Sequence, residues 1–127
     1  MADEKKKILI VDDDNMLLEM YVRKFNHAGF TVIGSLGSSD ALQKIKDGLV
    51  PDVVLTDVLM PNIDGFELVE KIKKEPQLAH TKVIILSNKG EQSDIEKGKQ
   101  VGADGYIVKA SLIPSEVVEK VKGFLNA

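Results

Sequence analysis

Pro51-Asp-Val-Val-Leu-Thr-Asp-Val-Leu-Met-Pro61 decides how the chain folds. Its apolar run, Val53-Val-Leu55, is short and continuous rather than alternating, which predicts a strand buried on both faces. The run ends at Asp57, a carboxylate where an apolar strand gives way to a loop. Two other apolar runs end in the same manner. Ile8-Leu-Ile-Val11 leads into Asp12-Asp13-Asp14, and Tyr106-Ile-Val108 leads into Lys109. Side chains at the C-terminal ends of parallel strands converge on one edge of a sheet, where open α/β proteins place their sites. Asp12, Asp13, Asp57 and Lys109 gathered there suggest a site for a divalent cation and a phosphoryl group.

The rest of the chain supplies the other units. Asp14 or Asn15 is placed to cap a helix over about residues 16–28, with Leu18, Val22 and Phe25 along one face and Gly29 ending it. A second strand is expected over 30–33. Ser38 or Ser39 opens a helix through Ala41, Leu42 and Ile45 that Gly48 closes. The third strand covers 52–56, and Asp64 with Glu67 resembles a capping box before Phe66, Leu68, Val69 and Ile72. Residues 82–86 form a fourth strand. Residues 91–101 make a poor helix, because Ile95 and Val101 are its apolar residues and Gly98 interrupts it at a cost near 1 kcal/mol. A fifth strand spans 105–108. Pro114 suits the first turn of a last helix burying Val117, Val118, Val121 and Leu125. Five βα units with right-handed crossovers predict an α/β fold: a doubly wound, five-stranded parallel sheet. One domain over 1–127 is expected, with its core at about 6–126.

Composition closes several function classes. The formal net charge is -3, whereas non-specific binding to nucleic acid or acidic membranes needs a basic footprint. The absence of cysteine excludes disulfides and thiolate metal sites. No apolar stretch reaches the roughly 18 residues of a membrane span, and the charged start Met1-Ala-Asp-Glu-Lys-Lys-Lys7 lacks the apolar segment of a secretion signal. A cytoplasmic protein with no direct nucleic-acid or membrane contact is expected.

Each site residue also has a plainer explanation. The Asp12-Asp13-Asp14 triplet can serve the first helix, whose N-terminus favours acids. One residue suffices as the cap, and two like charges about 4 Å apart repel by roughly 4 kcal/mol at an effective dielectric near 20. Such crowding calls for a cation, and an all-oxygen donor set points to Mg2+. A strand-end aspartate such as Asp57 can start a turn, but Pro61 and Asn62-Ile-Asp-Gly65 already supply turn chemistry. Asp57 is left as nucleophile or ligand, and a carboxylate can attack phosphorus to form an acyl phosphate. Lys109 can be a solvated lysine or a point charge for phosphate. Ser87 can form a turn or donate to a phosphoryl oxygen. His27 and His80 are expected on the surface, and Met16, Met20 and Met60 in packing.

Taken together, Ile8-Leu-Ile-Val-Asp-Asp-Asp14, Pro51-Asp-Val-Val-Leu-Thr-Asp57, Met60-Pro-Asn-Ile-Asp-Gly65, Val83-Ile-Ile-Leu-Ser87 and Gly102-Ala-Asp-Gly-Tyr-Ile-Val-Lys109 resemble, in order and spacing, the receiver domain of bacterial two-component response regulators. The resemblance implies a flavodoxin-like sheet and a phosphorylation-dependent signalling module. Asp57 would accept a phosphoryl group from a histidine kinase or a histidine phosphotransfer protein. Asp13, Asp57 and the backbone carbonyl of Leu59 would bind Mg2+, with Asp12 acting through metal-bound water. Lys109 would bridge to Asp57 or the phosphoryl group. Ser87 takes the hydroxyl switch position, and Tyr106 the aromatic one that turns inward when Ser87 moves toward phosphate. The fourth helix, fifth strand and last helix would form the switching surface. Such a domain catalyses only its own phosphorylation and dephosphorylation, acts on an unidentified downstream protein, and is a monomer or a phosphorylation-dependent dimer. It is either a stand-alone regulator or a receiver cut from a longer protein.

Some positions depart from the family pattern. Ala110 follows Lys109 where most members have proline, often through a cis peptide, and a cis bond to a non-proline residue costs roughly 2.5–4 kcal/mol. Asn88 stands where a small residue is usual. Leu59 and Lys89 lie two residues beyond Asp57 and Ser87, flanking the approach of hydrolytic water in this family. Two alternatives compete with the receiver: a phosphatase of the haloacid dehalogenase type with Asp12 as nucleophile, and a receiver-like scaffold that is never phosphorylated.

Overall fold

Along the first apolar run, Ile8 and Ile10 face one core while Leu9 and Val11 face another, the period-2 signature of a strand covered on both sides. The computed structural model describes residues 5–126. It contains β1 (Lys7–Asp12), α1 (Asn15–His27), β2 (Thr31–Leu36), α2 (Ser38–Lys46), β3 (Val53–Thr56), α3 (Gly65–Lys73), β4 (Lys82–Ser87), α4 (Gln92–Gln100), β5 (Gly105–Val108) and α5 (Pro114–Asn126). Short 3-10 turns at Pro76–Leu78 and Lys109–Ser111 were not foreseen in the sequence. The strands form one parallel sheet in the order β2-β1-β3-β4-β5. The direction of winding reverses between β1 and β3, and a crevice opens at their C-terminal ends.

Two apolar layers sandwich the sheet. On one side Leu18, Tyr21 and Phe25 of α1 and Val117, Val118 and Val121 of α5 pack against Ile8, Ile10, Leu55 and Ile84. On the other, Ala41 and Ile45 of α2 and Phe66, Leu68, Val69 and Ile72 of α3 pack against Leu9, Val11, Val54 and Ile85. The weak helix over 91–101 forms as α4, yet its one buried residue is Gly98.

Several expectations need correction. β2 continues to Leu36 because it pairs with β1 as far as Asp12. Gly34 and Ser35 have low strand propensity and hid this extension. Neither Ser38 nor Ser39 caps α2. Gly37 occupies that position, and the Ser38 hydroxyl donates instead to the Ile63 carbonyl at 2.8 Å, tying α2 to the loop after β3. Met16 is 80% exposed rather than packed, since it sits in the first turn of α1 beyond the sheet edge. Leu125 and Val22 are only partly buried, and Tyr21 takes the buried place on α1. Other expectations hold. Asp14 caps α1 by accepting from Met16 N and Leu17 N, and Asp64 caps α3 by accepting from Glu67 N.

Phe25 is fully buried and meets Phe30 edge-on at 5.2 Å between ring centroids. Truncation there leaves a cavity between α1 and the sheet. Phe25→Ala is expected to cost about 3–5 kcal/mol in urea unfolding; a loss under 1 kcal/mol would show that this layer repacks freely.

Candidate functional site

Backbone register builds the site. Val11 pairs with Thr56, and the ladder continues one step further as Asp57 N donates to the Val11 carbonyl at 3.1 Å. Asp12, at the end of β1, therefore stands beside Asp57, just past β3. Oxygen atoms of Asp12, Asp13 and Asp57 all lie within 4.8 Å of one another. Asp12 is buried, Asp57 partly buried and Asp13 exposed. An all-carboxylate trio at this spacing fits a hard divalent cation that keeps part of its water shell.

Lys109 enters from the end of β5. Its ammonium lies 3.2 Å from Asp12 Oδ2 and 3.7 Å from Asp57 Oδ2. The closer partner is Asp12, whereas the sequence pointed to Asp57. Both oxygens of Asp12 are engaged, because Oδ1 accepts from Asp14 N at 3.0 Å. On Asp57, Oδ1 accepts from Val58 N at 2.8 Å, leaving Oδ2 toward the ammonium. The loop below is held by a close approach the sequence did not reveal. A Cβ on Gly65 would lie 2.0 Å from the Asp57 carbonyl oxygen, and Gly65 N donates to the Val58 carbonyl at 2.9 Å. Only the Asn62-Ile-Asp-Gly65 turn hinted at it.

Ser87 closes β4 and is fully buried. Its hydroxyl accepts from Lys89 N at 3.1 Å, within the loop that leads to α4. Tyr106 on β5 points its hydroxyl to that same loop and donates to the Lys89 carbonyl. Burial raises its phenol above the ordinary value, the neighbouring Ser87 hydroxyl opposes this, and the Asp94 and Asp57 charges add to it. Room for the ring comes from α4: a Cβ on Gly98 would stand 3.0 Å from Tyr106 Cδ2. No cis peptide occurs among the described residues, so Lys109-Ala110 is trans and the chain turns there through its 3-10 segment. His27 and His80 are exposed and stand apart from the site.

A family model described as the response regulator receiver domain matches residues 8–122. The chain belongs to this family. The receiver is 34% identical over 121 residues to the phosphate regulon transcriptional regulatory protein PhoB of Pseudomonas aeruginosa, covering 95% of this chain and 52% of that protein. It is 31% identical to the alkaline phosphatase synthesis transcriptional regulatory protein PhoP of Bacillus subtilis, covering 95% of this chain and 49% of that one. The chain thus spans about half the length of these curated relatives. Among solved structures, the chemotaxis response regulator CheY4 of Vibrio cholerae superposes with a TM-score of 0.88 at 28% identity, over 95% of this chain and 99% of that one. A CheY-like receiver domain protein from Methanospirillum hungatei gives 0.87 at 29% identity, over 97% and 95%. The phosphatase alternative finds no support. The family match spans nearly the whole chain, and its supposed nucleophile, Asp12, is buried with both oxygens occupied. No helix among the described residues is long and apolar enough to cross a membrane.

Burial holds the Asp57 carboxyl above the usual carboxylate range; Lys109 and the Val58 N–H oppose this, and the Asp12 and Asp13 charges reinforce it. Between the unfolded and the folded value, the folded chain therefore holds a proton there that the unfolded chain has released. Stability contributed by this group is present at acid pH and is lost as pH rises from about 4 through the folded value. In EDTA at neutral pH, Asp57→Asn is expected to stabilise the receiver by on the order of 1 kcal/mol, a few degrees in melting temperature, and to flatten this pH dependence. A variant melting at or below the parent would contradict the charge balance described.

Proposed function

We propose that this receiver accepts a phosphoryl group on Asp57 with Mg2+ as cofactor and passes the change to a protein-binding surface. The observation that carries the proposal is the carboxylate trio within 4.8 Å, closed on one side by Lys109. Phosphoryl transfer demands positioning and charge neutralisation more than covalent help from the protein. Asp57 Oδ2 supplies the lone pair. The new O–P bond forms as the donor's P–N bond breaks, and that pair leaves with the imidazole of a histidine kinase or phosphotransfer protein. Asp13, Asp57 and the Leu59 carbonyl are assigned to Mg2+, with Asp12 acting through its water; the ion supplies positive charge to the phosphoryl oxygens when bound. The residues fit it, because three crowded carboxylates with a single ammonium leave a negative excess. Lys109 would move its contact from Asp57 to phosphate while keeping Asp12.

The phosphoryl group adds up to about two negative charges and three acceptor oxygens. Ser87, a buried hydroxyl at the end of β4, is assigned to donate to them. Its present role as acceptor from Lys89 N links any such movement to the loop whose carbonyl holds Tyr106. We assign the output to the surface of α4, β5 and α5, and the domain to residues 1–127. The two curated relatives named above are transcriptional regulators, but with a net charge of -3 this domain is assigned a protein target rather than DNA. We place it in the cytoplasm, as a monomer that phosphorylation can pair, with no reaction on other substrates.

Incubation with Mg2+ and phosphoramidate is expected to add one phosphoryl group by intact mass, and Asp57→Asn is expected to add none. A silent parent would favour the unphosphorylated scaffold, and an unchanged adduct in the variant would move the acceptor elsewhere. The Leu59 side chain, two residues after the acceptor, is 61% exposed, and we assign it to shielding the acyl phosphate from water with apolar surface. Leu59→Asn is expected to shorten the acyl-phosphate lifetime several-fold; an unaltered lifetime removes this role.

A further inference from the structure

The sheet edge opposite Asp57 carries positive charge that the proposed mechanism leaves unused. Helices run against the strands in this fold, and α1 packs beside α5, so the C-terminal ends of both lie near the start of β1. Between them is a cleft of about 210 Å3, whose lining combines Ala28, Phe30 and Leu125 with Lys5, Lys6 and Lys122 and contains no acid. Arg23 and Lys24, exposed on α1 just before Ala28, border a shallow depression that also lacks an acid. Five cations thus gather at one corner of a chain whose formal net charge is -3. Cations near a helix C-terminus offset its dipole, but that effect fades within the last turn. It accounts for Lys24; Arg23 stands earlier on α1, the last turn of α5 holds no basic residue, and Lys5 and Lys6 precede β1. Among the described residues only Lys122 of these five has an acidic partner, the exposed Glu119 at 3.8 Å. Such exposed pairs are weak and readily exchanged.

We infer that this corner docks an acidic polypeptide segment that carries one apolar side chain among its carboxylates. The cleft is smaller than the roughly 300–1,000 Å3 of small-molecule sites, which suits one side chain rather than a nucleotide or cofactor. Ala28, Phe30 and Leu125 receive that side chain, and the surrounding cations meet the carboxylates on either side of it. Two other anionic partners fit less well. Single-stranded nucleic acid gains much of its affinity by stacking bases on exposed aromatic rings, and Phe30, the aromatic residue of the cleft, is 4% exposed. A lasting hold on an anionic membrane needs an apolar insertion as well as basic charge. The large exposed hydrophobics are Met16, Leu36, Val50, Leu59 and Ile113, and none of them lines this corner. Docking here leaves the Asp57 edge open, so a partner can stay bound while the phosphoryl group comes and goes. The corner is a tether that works whichever residue accepts phosphate.

The test is fluorescence anisotropy on the full chain at low salt with a labelled Glu-Glu-Asp-Leu-Glu-Asp-Glu peptide. The same peptide with alanine for leucine, a single-stranded DNA of mixed sequence, and vesicles of phosphatidylserine and phosphatidylcholine serve as competing probes. The leucine peptide is expected to bind best, to weaken as salt rises, and to lose about three- to tenfold with alanine at the anchor. Lys122→Gln and the double variant Arg23→Gln, Lys24→Gln are each expected to weaken it by about two- to fivefold, the scale of exposed ion pairs. Lys122→Arg is expected to keep the affinity, and Lys74→Gln, an exposed lysine at the end of α3, to leave it unchanged. Melting temperatures of these variants check that the fold is intact. No binding of the leucine peptide overturns the inference, as does an equal loss in Lys74→Gln, which would reduce the effect to overall charge. Tighter binding of the DNA or the vesicles overturns the choice of partner. Asp57→Asn is expected to bind the peptide as the parent does, so docking and the acceptor assignment fail separately.

Discussion

Electrostatic repulsion among Asp12, Asp13 and Asp57 is the constraint around which this molecule is arranged. Three carboxylates within 4.8 Å would push their loops apart if nothing opposed them. Opposition comes from the backbone and from one side chain. The ladder between β1 and β3 fixes Asp57 N on the Val11 carbonyl, so the two loops cannot separate without breaking the sheet at its centre. Lys109 contributes a single positive charge from the far end of the fold, bonded nearer to Asp12 than to Asp57. Sheet rigidity holds the groups at a spacing their charges resist, a resistance that a divalent cation would relieve.

Much of this was legible in the sequence because burial and strand direction leave strong marks. Runs buried on both faces read as unbroken apolar stretches, and the residue after each run reports which end of the sheet it occupies. Asp12, Asp57, Ser87 and Lys109 were all found by that rule, and each lies on the same edge. The acidic caps Asp14 and Asp64 were also visible, because capping is a local matter of a few residues. What stayed hidden depends on contacts distant in sequence. That Ser38 bonds to Ile63 rather than capping α2 cannot be read from either stretch alone. The need for glycine at position 65 comes from the Asp57 carbonyl, eight positions earlier. Tyr21 stands three residues after Leu18 and four before Phe25 and shares their buried stripe, while Val22 at its border is only partly buried.

The Lys109-Ala110 bond shows how a departure from family pattern is absorbed. Without proline the chain keeps an ordinary trans peptide and turns through the short 3-10 segment from Lys109 to Ser111. The ammonium still reaches both aspartates, so the turn preserves what the site needs from that loop. Pro114 then opens α5, with Ile113 N bonded to Glu116 at 2.9 Å.

The meeting of Gly98 and Tyr106 carries a mechanical consequence. Most helices in this fold are keyed to the sheet by interlocking side chains, as α3 is by Phe66, Leu68, Val69 and Ile72. α4 buries only Gly98, whose bare backbone lies close to the Tyr106 ring and to Ile85. A helix seated like a plank on a roller can slide or tilt with little repacking of the interior. Its resting place then depends in large part on where the Tyr106 ring and Ile85 lie.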